Sequence, residues 1–161
     1  MNEILNDLRE TRTLLKCLNT CQYNLKIDVL SGASIGMHFR HVFEYYQSVL
    51  TCQESICYDK RVRNKELEQN INFALSTVDA MIGQIQEINP NRSVILIFDD
   101  QQTIKSFINR ELFYCYEHSI HHKALIKIGL TSLNLEYLLS PSFGVAPATV
   151  KFQSSSKIGL G

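Results

Sequence analysis

The fold class this sequence predicts is all-α: a four-helix bundle with a short β-hairpin inserted before the last long helix. Three observations predict it. Four long stretches carry apolar residues at helical spacing. A single β-branched run followed by an acidic, polar turn interrupts them. No internal repeat and no linker-like segment divides the 161 residues, a length that suits one domain able to bury a core without disulfides or structural metal.

Residues 2–24 place Ile4, Leu8, Thr11, Leu15, Leu18 and Cys21 on one stripe, with Leu5 and Leu14 beside it, so an amphipathic helix is expected there. The stretch IDVLSGAS breaks the pattern. Ser34 then offers a side-chain oxygen to cap a second helix over 35–53, whose seam runs through Ile35, Val42, Tyr45 and Val49. A turn around SICYDK leads to a third helix over 60–88, with Leu67, Ile71, Ala74 or Leu75, Val78, Ile82 and Ile85 along its seam. Asn89-Pro90-Asn91 ends it, because proline disfavours helix in the residue before it.

SVILIFDD, a turn at Asp99-Asp100-Gln101-Gln102 and TIKSFI read as a two-stranded hairpin. The fourth helix covers 110–130. It is apolar on nearly all sides except around Tyr116, Lys123 and Lys127, which predicts that it is well buried. LEYLL reads as a helical turn and is followed by the Pro/Gly-containing SPSFGVAPATVKF. Residues 1–152 are thus expected to form one domain, and 153–161, rich in Ser and Gly, a flexible C-terminal tail.

A hydrophobic share of 45% with 20% charged residues is that of an ordinary soluble globular protein. Sixteen basic residues balance sixteen acidic ones, so no global field argues for nucleic acid or an anionic membrane. The local basic run KRVRNK (60–65) reads as a solvated face. No apolar run approaches the roughly 20 residues of a membrane span. The N-terminus MNEILNDLRETR lacks a signal-peptide core, so a cytoplasmic location is expected. Five cysteines (Cys17, Cys21, Cys52, Cys57, Cys115) is an odd number without a CxxC pair, which argues for free, partly buried structural thiols.

All five histidines fall in two clusters, His38 with His41 and His118 with His121 and His122, each inside a predicted helix. At about 100° per residue, His118 and His122 point about 40° apart, toward the apolar side with Cys115 and Leu125, while His121 sits about 60° off at the edge of that face. On the second helix, His38 and His41 are three apart, and either or both can point inward. Imidazoles from two neighbouring helices that meet at one place can hold a divalent ion at roughly 2.0–2.1 Å and leave positions open for water or substrate. The alternative is a set of buried, hydrogen-bonded histidines with no ion. An H-x3-H spacing alone is a weak signal, and the HExxH zinc-protease pattern is absent because residues 119–121 are Ser-Ile-His.

The segments SIGMHFRHVFEYY, YDKRVRNKELEQNINFA, INRELFYCYEHSIHHKALI and FGVAPATVKF, in order over about residues 34–152, resemble the DinB/YfiT-like superfamily of bacterial four-helix-bundle proteins. The resemblance implies a three-histidine metal site. Its first ligand lies seven positions after the Ser/Thr that opens the second helix, which is His41, with His38 as the alternative. The H-x3-H pair of the last long helix matches His118 and His122. His121 is an extra histidine with a structural or supporting role. Glu111, on the stripe of His118, is a candidate to orient a ligand, or else to cap the start of the helix or pair with Arg40 or Arg110. Asp59, Arg61 and Arg63 are expected to form inter-helix ion pairs, and Tyr45 and Tyr46 are candidates to line the pocket.

What the resemblance implies about function is a zinc, nickel or iron ion that activates a thiol or water. The reaction class is that of thiol-S-transferases using low-molecular-weight thiols such as bacillithiol or mycothiol. The alternatives are a metal-dependent hydrolase or a non-catalytic metal-binding bundle. A small-molecule substrate and a homodimer are implied with it, and neither nucleic acid nor membrane is.

Overall fold

A computed structural model describes residues 1–98 and 102–158, and the chain is mostly helical with a small three-stranded sheet. The long helices are α1 (Asn2–Cys17), α3 (Ile35–Leu50), α5 (Ile71–Glu87) and α6 (Ile108–Ser132). Shorter ones are α2 (Thr20–Asn24), α4 (Glu66–Gln69) and α7 (Pro147–Ile158). Helix α3 packs on α5 and α6, and α1 packs on the same two from the other side. Their facing stripes form one core that includes Leu8, Leu15, Phe39, Phe43, Val78 and Ile126.

Local chemistry explains where the elements depart from the expected boundaries. The helix expected over 2–24 breaks at Leu18, whose backbone is extended. Asn19 and Gln22 form a reciprocal capping box that satisfies the free N–H groups of a new helix, α2. The helix expected over 60–88 starts only at Glu66 and restarts at Asn70, whose side chain accepts from the N–H of Asn72 and Phe73. The preceding residues are tied elsewhere: the Asn64 N–H donates to the Glu44 carboxylate (2.9 Å). Ser34 caps α3 as expected, its hydroxyl accepting from Met37 N–H at 3.1 Å.

The expected hairpin is present, within a three-stranded sheet rather than alone. Strands β2 (Ser93–Phe98) and β3 (Gln102–Phe107) pair antiparallel with Leu96 opposite Ile104, as a hairpin. The expected turn residues Asp99 to Gln101 lie outside the described residues. The added strand is β1 (Ser55–Ile56), parallel to β2 in the segment expected to be a turn, and it buries Ile56 against the core. Two residues are too short a stretch for periodicity to register.

The C-terminal segment forms α7 up to Ile158, beginning at Pro147 as a fixed-φ residue can in a first turn. Residues 159–161 of the expected tail lie outside the described residues.

On α6 the expected polar side is buried. Tyr116 and Lys123 are 5% and 1% exposed, whereas Phe113 and Ile128 are about half exposed. The Lys123 ammonium donates to the Asp7 carboxylate (2.7 Å), the Asp7 carbonyl (2.8 Å) and Glu10 (3.0 Å), under the Phe143 ring. Ser119 donates to the second Asp7 oxygen at 2.7 Å. Among the described residues, no helix is long and apolar enough to cross a membrane.

Candidate metal centre

The packing of α3 against α6 brings the two histidine clusters face to face. Ligand atoms of His41, His118 and His122 lie within 4.8 Å of one another. The Nε2 atoms of His41 and His118 are 2.9 Å apart, and the His122 ring centre is 4.7 Å from that of His41 and 4.6 Å from that of His118. Two nitrogens 2.9 Å apart subtend about 90° at an ion held at roughly 2.0–2.1 Å. With the His122 ligand atom within 4.8 Å of the other two, this neutral nitrogen donor set fits a divalent ion.

His38 is not part of this group. Its Nδ1 lies 2.9 Å from Nδ1 of His122, behind the ring that joins the triad, and its Nε2 is buried without a partner. His121 is exposed, 6.4 Å from His118 and 5.3 Å from His122 between ring centres. The helical wheel therefore ordered the α6 histidines correctly, and the geometry separates His41 from His38 on α3.

Burial dominates the electrostatics. It depresses His41 to about 4, helped by the Arg61 charge and by His118. It depresses His122 to about 3, helped by His118, His41, His38 and His121. His118 and His38 shift the same way, each chiefly through burial and then His121. At neutral pH each ring of the triad is thus uncharged, with one nitrogen protonated and one lone pair.

An aromatic wall encloses one side. Tyr45 stacks on His118 at 4.5 Å, Tyr58 stacks on Tyr45 at 4.8 Å, and Tyr114 lies 5.4 Å from Tyr58 and 6.1 Å from His118. Of the two tyrosines expected at the pocket, Tyr45 is there. Tyr46 is fully buried in the core. Tyr58 and Tyr114 were not anticipated, although Tyr114 is one helical turn before His118 and its spacing carries that signal.

Glu111 is fully buried and is not one of the residues whose ligand atoms converge. It accepts from the Tyr58 hydroxyl (2.7 Å), Ser106 (2.5 Å) and Arg110 (2.9 Å), which fulfils the pairing with Arg110 and holds the aromatic wall in place. Cys115 is buried, and burial pushes its thiol well up, out of the range of a reactive thiolate. All five cysteines are free.

Of Asp59, Arg61 and Arg63, the ion pair falls to Arg61, with Nε 3.4 Å from the buried Glu44 carboxylate. The same guanidinium lies over the Tyr45 ring (4.9 Å) and places Nη2 3.1 Å from Nδ1 of His41. It also lines a cavity of about 360 Å³ with Ser48, Cys52, Cys57 and Lys60. Asp59 and Arg63 are exposed.

No family model matches the chain, and no solved structure matches it. The chain is similar to FK506-binding protein 5 of Rhizopus delemar, at 30% identity over 112 residues covering 58% of this chain. That match spans 26% of the fungal protein's length.

Proposed function

We propose that this chain is a metal-dependent protein of the DinB/YfiT-like type, a four-helix bundle in which His41, His118 and His122 hold a divalent zinc, nickel or iron ion. The carrying observation is the convergence of ligand atoms from those three residues within 4.8 Å. The neutral protonation state of the triad and the four long helices packed around one core support the same reading.

When bound, such an ion supplies Lewis acidity that lets a thiol or a water molecule react as its anion at neutral pH. The chain's own residues then set the surroundings. His38 orients the His122 ring from behind. Tyr45, Tyr58 and Tyr114 shield one side from water and offer flat apolar walls to a substrate. The Glu111 carboxylate fixes the Tyr58 hydroxyl. Arg61 brings a cation to the edge of the site.

The activity best suited to this arrangement is a detoxification-type thiol-S-transferase, acting on a small electrophilic substrate with a low-molecular-weight thiol. A cytoplasmic, homodimeric protein that engages neither nucleic acid nor membrane completes the proposal. The fungal relative's name adds no second reading, because only a quarter of that protein is matched.

The test is metal content together with thiol dependence. Native protein should carry about one ion per chain, and turnover of an electrophile should require an added thiol. Turnover without thiol replaces the transferase with a hydrolase. Metal without turnover, and loss of fold on metal removal, leaves a structural bundle.

A further inference from the structure

The two nitrogens of a ligating imidazole have opposite needs. One offers its lone pair to the ion, so the other carries the proton and must donate it to a carbonyl, a carboxylate or another acceptor. The partner on the far side of each ring therefore tells whether that ring is set to coordinate. His122 has a partner that allows it: its Nδ1 faces Nδ1 of His38 at 2.9 Å, and either ring can be the donor.

His41 is not set. Its Nδ1 faces Nη2 of Arg61 at 3.1 Å. A guanidinium has only donors and does not give up its proton in a protein. Nδ1 of His41 must therefore accept, its proton sits on Nε2, and that N–H donates across 2.9 Å to Nε2 of His118. In this arrangement the lone pair that an ion needs from His41 is occupied by a proton.

Arg61 is largely buried there, although its Nε makes no hydrogen bond. Its Nη1 donates to the Tyr58 carbonyl at 2.9 Å, its Nε is 3.4 Å from Glu44, and its side chain is 9% exposed. Its charge also opposes a cation a few ångströms beyond the ring, in surroundings that screen poorly.

We propose that Arg61 is a built-in competitor of the metal ion: it holds His41 in the tautomer that cannot coordinate, and must leave Nδ1 before the triad closes on a cation. This rests on the reading of His41, His118 and His122 as the metal site. The cavity beside Arg61 gives the guanidinium room to swing away while its Glu44 contact is kept. Metal affinity is then limited by Arg61, which disarms His41.

The experiment compares zinc affinity, by competition with a chromophoric chelator, for metal-stripped wild type, Arg61→Met and Arg61→Gln. Both variants should bind at least tenfold more tightly, since methionine removes the donor and the glutamine carbonyl accepts the Nδ1 proton. In parallel, imidazole nitrogen NMR should find His41 protonated at Nε2 in the metal-free wild type and at Nδ1 in the zinc-loaded protein.

Wild-type binding with equal or weaker affinity in folded variants overturns this proposal alone, as does Nδ1 protonation in the metal-free wild type. Absence of zinc binding by wild type and variants alike overturns the metal-site reading, and this one with it. If loss of the Glu44 partner prevents the variants from folding, the wild-type tautomer decides.

Discussion

Helix α6 carries polar clusters on two faces, and they differ in how completely they close on themselves. Toward α1, Lys123 and Ser119 meet Asp7 and Glu10, and every ammonium and hydroxyl proton finds an acceptor. Toward α3, His118 and His122 meet His38, His41 and Arg61, where the rings pair with one another and with a guanidinium, and His38 Nε2 is left buried and unpaired. A balanced buried network is a structural tie whose removal is costly. Neutral imidazoles that share their lone pairs only with one another and with Arg61 can hand those lone pairs to a cation.

The largest effect should come from breaking the balanced side. Lys123→Met leaves the Asp7 carboxylate buried without its cation and should cost about 3–5 kcal/mol in urea unfolding. Adding Asp7→Asn should return much of it. A loss under about 1 kcal/mol would erase the distinction between the two faces.

His122→Ala should behave oppositely. Unfolding of the metal-free protein should shift by no more than about 1 kcal/mol, the scale of one half-buried hydrogen bond, while metal content falls to background. Equal stability losses from Lys123→Met and His122→Ala would make the histidines a second structural tie.

Acid sharpens the contrast. The folded-state values of His41 (about 4) and His122 (about 3) lie below the ordinary 6.5, so between those values the unfolded chain binds more protons than the folded one. Stability of the metal-free protein should therefore be level above pH 6.5, fall as pH drops below it, and keep falling through about 4 and 3. Melting temperature against pH reports this, and the slope should flatten in His122→Ala. A profile without that slope would mean that the rings are solvated rather than buried.

The smallest effect belongs to His121. It is exposed at the edge of the cluster, and His121→Ala should change metal content not at all and stability by less than about 0.5 kcal/mol.

What could be read from the residues follows their periodicity. The stripes of α1, α3, α5 and α6, the Ser34 cap and the shared direction of His118 and His122 all repeat at helical spacing, and all stand in the structure. The misses are nonperiodic. The Asn19 capping box and the Asn70 cap cut helices that apolar spacing alone would continue. Strand β1 is fixed by its partner β2 rather than by its own two residues. Lys123 reads as a solvent-facing residue until Asp7, far away in sequence, supplies the charge that lets it be buried. Arg61 is expected to form an inter-helix ion pair, and it does so with Glu44. Its place beside His41 depends on Glu44 and on the irregular stretch before α4, which no local pattern encodes.

The decisive property is what surrounds the ion in the loaded protein. X-ray absorption at the edge of the bound metal, recorded for wild type and for His118→Ala, measures that directly. Three imidazole nitrogens near 2.0–2.1 Å in wild type, and loss of the metal signal in the variant, is the predicted result. A first sphere of sulfur or carboxylate oxygen, or full occupancy in His118→Ala, would contradict it.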